Sequence, residues 1–210
     1  MRPKLIIFAS GKRSGGGAGF ENLATSKDLD ADIVAVVSNH ERGGVHERAM
    51  RLGIPFIYFP EPYDAEHYKK IVADSGAEWV ALSGWLKHVS GLDPAKTFNT
   101  HPALLSFDQG RFGGKGMYGN HIHEAVKKAL DAGEITESGF TMHFVTEEHD
   151  RGPVFFEHRV PLRKGMTAEE IQMAVQAAEH EWQPKITNMI VHGKIRWDGK
   201  DPASLIGSKI

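Results

Sequence analysis

Short apolar runs alternate with amphipathic stretches along the first half of the chain. Residues 4–10 hold Leu-Ile-Ile-Phe-Ala with no polar face, the pattern of a strand buried on both sides. Residues 32–38 repeat it, and residues 55–59, 79–82 and 97–101 give three shorter versions. Between these runs lie helical patterns at residues 20–27, at 45–52 closed by Gly53, and at 64–75 with Ala65, Tyr68, Ile71 and Val72 on one side. Strand and helix in alternation predict a parallel sheet with right-handed crossovers. The second half differs. A helix is predicted over 121–132, closed by Gly133, and two strand-like runs, 138–146 and 154–160, lie close enough for a hairpin. Part of the sheet is therefore expected to be antiparallel. Residues 167–192 form a long helix opened by a Thr167/Glu170 capping box, with a kink expected at Pro184. Residues 193–210 offer one strand-like piece, 194–197, and then a polar segment with little to add to a core.

Composition narrows the class. The 210 residues are 40% hydrophobic and 25% charged, with a formal net charge of -2. That is enough chain for a sizeable core, and it is read as one domain. No broad basic surface is expected, so nucleic acid is not an expected partner. No apolar run reaches the length of a membrane span, and the opening run is too short for a signal peptide. The absence of cysteine excludes disulfides, thiolate catalysis and thiolate-bound zinc, and it suits a cytoplasmic location.

Candidate chemistry falls at the ends of the apolar runs. After the first strand comes Gly11, Lys12, Arg13, Ser14, Gly15, Gly16, Gly17, Ala18 and Gly19, followed by a helix. Strand, glycine-rich loop and helix make an anion cradle: backbone N–H groups converge and the helix N-terminus is partially positive. A flexible surface loop is the plain alternative. The spacing matches neither the nucleoside-triphosphate loop nor the dinucleotide fingerprint. Asn99 and His101 stand two apart on one strand, hence on one face, and Pro102 ends it. Asp150 follows another strand; before Arg-Gly-Pro it reads either as a turn residue or as a carboxylate for proton transfer. An amide, an imidazole and a carboxylate suffice for acyl transfer. Trp85, Leu86, Lys87, His88 and Val89 follow the fourth strand and read equally as core packing or as the wall of a pocket for a flat ligand. Residues 103–119 form a long glycine-rich loop, a length that favours function. His121 and His123 suggest metal, but residues two apart on a helix diverge, so no metal is expected.

Several of these motifs together resemble the folate-dependent formyltransferases. Asn99-Thr-His-Pro-Ala-Leu-Leu is similar to that superfamily's Asn-x-His-Pro-Ser-Leu-Leu-Pro. Ser38-Asn39, the run from Leu82 to Ser90, Gly114-Lys-Gly-Met-Tyr-Gly119 and the stretch from Gly139 to Pro153 also match. Glu179-His180 with Pro184, together with the chain length, most resembles the purine-synthesis branch, whose acceptor is glycinamide ribonucleotide. The resemblance implies a Rossmann-like three-layer α/β fold with a mostly parallel twisted sheet and an antiparallel C-terminal part. It implies a single domain, with a phosphate-binding half over 1–101, a folate and catalytic half over 102–197, and a tail over 198–210. It implies 10-formyltetrahydrofolate as co-substrate, small-molecule partners only, a monomer or homodimer, and no metal.

The same resemblance assigns roles. Asn99 and His101 hold the developing oxyanion, and Asp150 pairs with His101 and moves a proton through water. Residues 85–89 flank the folate together with Thr146, Glu147, Glu148 and His149. Residues 11–18 take the substrate phosphate, and Glu179 and His121 contact the acceptor. Two departures stand out: the glycine-rich loop is longer than the family's and lacks its Asn, and Ser106 replaces a proline. They keep open a nucleotide amino sugar as acceptor. Water as acceptor would go with an N-terminal regulatory domain, and methionyl-tRNA with a C-terminal RNA-binding domain; neither is expected here. An inactive folate- or phosphate-binding protein is the non-enzyme alternative.

Overall fold

The computed structural model describes residues 1–11 and 16–207. A seven-stranded sheet runs through it in the order β3-β2-β1-β4-β5-β6-β7. The strands are β1 (Lys4–Phe8), β2 (Asp32–Ser38), β3 (Phe56–Tyr58), β4 (Trp79–Ser83), β5 (Thr97–His101), β6 (Glu137–Phe144) and β7 (Val154–Pro161). The first five are parallel; β6 runs antiparallel to both of its neighbours, β5 and β7. This is the mixed sheet that the apolar runs predict.

Alternation along the buried strands builds two cores. Leu5 and Ile7 face one way, packing with α1 (Ala18–Thr25), α2 (Gly44–Leu52), α4 (Asn120–Asp131) and α5 (Ala168–Val191). Ile6 and Phe8 face the other way, against Tyr68 of α3 (Ala65–Ser75) and against Trp85. The result is three layers: helices, sheet, helix. Strand order reverses at β1, where the chain returns to place β4 on its other side. In such sheets the crevice beyond the carboxyl ends of the strands is the binding position.

The long helix α5 closes the site from the larger layer. Its capping box is complete: Thr167 Oγ1 accepts from the Glu170 N–H at 3.1 Å, and Glu170 Oε2 accepts from the Thr167 N–H at 2.8 Å. The helix continues through Pro184 rather than ending there. Further along, Gln183 donates to Ser83 Oγ and Thr100 Oγ1, at 3.1 and 3.0 Å, pinning α5 to β4 and β5.

The structure corrects three local expectations. The first helix begins at Ala18, so Ala18 belongs to a helical turn and not to the loop before it. Thr146 lies beyond the end of β6. The segment after α5 contributes more than expected: Ile195 and Trp197 are buried in the larger core and Leu205 packs against it. Residues 194–197 form no ladder, only an isolated bridge between Arg196 and Ile206. Among the described residues no helix is long and apolar enough to cross a membrane.

Candidate active site

A cleft of about 360 Å³ lies beyond the carboxyl ends of β4 and β5. Its walls come from Trp85, Leu86 and Lys87 after β4, from Asn99 and His101 on β5, and from residues 114–119 of the long loop. His123 of α4, His149, Asp150 and Glu179 of α5 complete it. A second cleft, about 470 Å³, is lined by Val89, Thr146, Glu147, Glu148 and Arg151 among others. His88 stands between the two: its Nε2–H donates to the Glu147 carbonyl at 3.1 Å, and its ring lies 4.5 Å from that of His149. Eight of the nine residues that the resemblance assigns to folate therefore divide between two clefts, four to each, and His88 lines neither. Trp85 does both things that the sequence left open. It lines the first cleft, and it sits 8% exposed in an aromatic cluster with Phe8, Phe59 and Tyr68, donating from Nε1 to the Tyr68 hydroxyl at 2.9 Å.

The three candidate catalytic groups converge. His101 Nδ1 is 3.6 Å from Asp150 Oδ2. On its far side Nε2 is 2.7 Å from the Phe112 carbonyl. A carbonyl only accepts, so Nε2 carries hydrogen and, in the neutral ring, Nδ1 is the open base. Burial holds His101 below its ordinary basicity; Asp150 and the Phe112 carbonyl oppose this, and His143 adds to it.

His143 is the member of the site to which the sequence assigned no role. It lies on β6 directly across from Asn99 on β5. Its Nδ1–H donates to the Phe144 carbonyl at 2.8 Å, which leaves Nε2 of the neutral ring as an acceptor. Asn99 Nδ2 donates to that atom at 3.2 Å. An amide nitrogen has two hydrogens, so with one on His143 the other is left to a cleft that Asn99 lines. Nε2 also stands 3.5 Å from Asp150 Oδ1, giving the carboxylate an imidazole on either side.

Burial alone would raise the Asp150 carboxyl. The two flanking imidazoles, His143 and His101, which attract it when protonated, and the Gly114 N–H, which donates to Oδ2 at 2.8 Å, together outweigh burial and hold it at about 2. Asp150 is thus a fixed carboxylate. Its backbone is left-handed, φ 53°, an uncommon conformation for a non-glycine residue, though one that aspartate tolerates better than most.

His121 and His123 part ways on α4. His121 is exposed beside Tyr118 and Glu124 and is not part of the cleft lining. His123 turns inward, 5% exposed, and is held neutral, pushed down to about 4 by burial and then by nearby His101. The helix phase carried this signal, since His123 shares a face with buried Val126 and Leu130. Among the described residues no group of three or more His, Asp or Glu side chains is placed to hold a metal ion.

Glu179 faces the cleft from α5, with its carboxyl pushed up to about 8 by burial. A group raised from its ordinary 4.5 to about 8 binds its proton more tightly in the folded protein. Its contribution to stability is full at low pH and is lost as pH rises through that window. The thermal midpoint of the ligand-free protein is expected to fall between about pH 5 and pH 8, and less steeply in Glu179→Gln. Equal slopes in the two proteins would contradict this placement.

The base of the glycine-rich loop is described; Lys12, Arg13, Ser14 and Gly15 lie outside the described residues. Gly11 and Gly16 approach so closely that a Cβ on Gly11 would lie 2.5 Å from the Gly16 Cα. Gly17, at φ 84°, is the N-cap of α1 and itself supplies no side-chain cap. Arg48 donates to the Gly16 carbonyl at 2.8 Å and pairs with Glu21 at 2.8 Å. A helix N-terminus on a narrow glycine neck can receive an anion.

A folded cleft of this kind, holding amide, imidazole and carboxylate, defines a group-transfer enzyme of the acyl class. The sequence matches the formyl transferase family over residues 3–187, and the chain belongs to that family. Phosphoribosylglycinamide formyltransferases are among its relatives. The chloroplastic enzyme of Arabidopsis thaliana is 33% identical over 99% of this chain and 72% of its own length. The Bacillus subtilis enzyme is 26% identical over 90% of this chain and 94% of its own. Among solved structures, phosphoribosylglycinamide formyltransferase from Anaplasma phagocytophilum superposes with a TM-score of 0.76 at 28% identity, covering 93% of this chain and 90% of that one.

Proposed function

We propose that this chain formylates the amine of glycinamide ribonucleotide, with 10-formyltetrahydrofolate as donor, in purine biosynthesis. The observation that carries the reading is the meeting of Asn99, His101 and Asp150 in one cleft that Glu179 also lines. The acceptor's neutral amine attacks the formyl carbon, and the carbonyl electrons move onto oxygen. The free N–H of Asn99 donates to that oxyanion. With Nε2 occupied by Phe112, His101 acts chiefly through Nδ1: it takes the amine's proton, directly or through water, and Asp150 balances the imidazolium. The carbon–nitrogen bond to folate then breaks, and the departing nitrogen takes the proton held on His101, directly or through water, which returns the ring to its neutral form. Both clefts take part, with the pterin end seated along residues 85–89 and 146–149. Glu179 meets the acceptor's amine or ribose side, and the glycine neck with the N-terminal end of α1 takes its phosphate. Metal is not required, because the oxyanion has an amide donor and the proton has a base.

The test is formyl transfer from 10-formyltetrahydrofolate to glycinamide ribonucleotide, an amino-sugar nucleotide or water, followed by product mass. Transfer to glycinamide ribonucleotide well above the other two is the expected result. Preferred transfer to the amino sugar would replace the acceptor and leave the chemistry in place.

A further inference from the structure

The long loop after β5 is fastened to the catalytic groups themselves. The Phe112 carbonyl takes the Nε2–H of His101 at 2.7 Å, and the Gly114 N–H donates to Asp150 Oδ2 at 2.8 Å. Phe107 and Phe112 stack with ring centroids 5.6 Å apart, and Arg111 pairs with Glu134. Two residues of the segment, Asp108 and Gln109, hold left-handed backbone at φ 41° and 55°, conformations that persist only where surroundings impose them. One side chain reaches this strained point. Arg151, next in sequence to Asp150, donates from Nη1 to the Gln109 carbonyl at 2.8 Å. Gly110 leaves room for it, since a Cβ there would lie 2.8 Å from Nη1.

We propose that Arg151 is a positioning residue: by holding the Gln109 carbonyl it keeps Phe112 and Gly114 seated on His101 and Asp150. This rests on the catalytic reading above. Asp150 and Arg151 are consecutive, so the loop is clamped to one short segment both directly, at Gly114, and through the guanidinium, at Gln109. Releasing the guanidinium frees the strained turn to relax. The Phe112 carbonyl then no longer fixes the tautomer of His101, and Asp150 loses a backbone donor. Arg151 is exposed, so its removal leaves the core intact.

The experiment measures kcat, donor KM and the pH dependence of kcat in Arg151→Ala, Arg151→Lys, Gly110→Ala and the Arg151→Ala/Gly110→Ala double variant, with Asp150→Asn alongside. Arg151→Ala is expected to lower kcat on the order of tenfold, the scale of a small misplacement of reacting groups. The acid limb of its profile, set by His101 as the base, should move to lower pH, because His101 loses the Phe112 carbonyl that supports its basicity. Arg151→Lys should recover most of the rate. Gly110→Ala, which displaces the guanidinium and also strains a backbone at φ 83°, should lower kcat at least as far while keeping the charge, and the double variant should be no worse than Gly110→Ala alone. A wild-type kcat and pH profile in Arg151→Ala, with Asp150→Asn inactive, would overturn the proposal alone. So would a raised donor KM at unchanged kcat, since Arg151 also borders the second cleft and would then serve binding. A fully active Asp150→Asn would overturn the catalytic reading as well.

Discussion

Replacing Asn99 with alanine should lower kcat by about 10²–10³ while donor KM stays within about twofold. The size follows from what the amide alone supplies. His101 offers the cleft no donor, because its Nε2–H is taken by Phe112 and its Nδ1 is bare in the neutral ring, which leaves the second N–H of Asn99 to meet an oxyanion. Removing one such donor costs about 2.7–4 kcal/mol of barrier. The loss falls on kcat because the interaction strengthens as charge develops on oxygen, and the ground-state formyl group gains little from it. Asn99→Asp should be at least as poor, since a carboxylate there accepts and repels the oxyanion. Steady-state kinetics against donor concentration separate the two parameters; a variant that raises donor KM at unchanged kcat would place Asn99 in binding.

Gly152→Ala is expected to cost about 3 kcal/mol of stability, roughly 10 °C in thermal midpoint, and most of the activity. A Cβ there would lie 1.8 Å from the Phe144 carbonyl oxygen and 2.8 Å from its carbon. Those are backbone atoms at the end of β6, and the Phe144 N–H is itself held by the Pro153 carbonyl at 3.0 Å, so neither side can yield cheaply. The displaced oxygen is the one that fixes the tautomer of His143. With it moved, His143 no longer presents Nε2 to Asn99, and the amide loses its aim. Calorimetry and kcat should therefore fall together, and a variant of wild-type stability would refute the packing argument.

Local patterns in the sequence reached far. Apolar runs located the strands, and Thr167 with Glu170 located the start of α5, because both signals lie within a few residues. Asn99 and His101 were legible because a strand's two-residue period puts them on one face. His143 was not, because its role depends on antiparallel pairing across β5 and β6, which brings it opposite Asn99 from a distant part of the chain. Asp150 remained open between turn and catalyst for the same reason: its neighbours are His101, His143 and Gly114, all remote in sequence. Glu179 could be placed on a helix, but not on the cleft side of it, until the tilt of α5 against the sheet was known. Loop residues carry no periodicity, so the seating of Phe112 on His101 left no trace in the pattern.

The account turns on whether these side chains perform the transfer step itself. Single-turnover transfer to glycinamide ribonucleotide from a donor labelled in its formyl carbon, with enzyme in excess, isolates that step. Wild type and Asp150→Asn would be compared, with binding of both substrates measured separately. The prediction is that Asp150→Asn binds donor and acceptor at near wild-type affinity and transfers the label at least about a hundredfold more slowly, because the imidazolium has lost its balancing carboxylate. Transfer at the wild-type rate in that variant would contradict the account and move the chemistry to another part of the cleft.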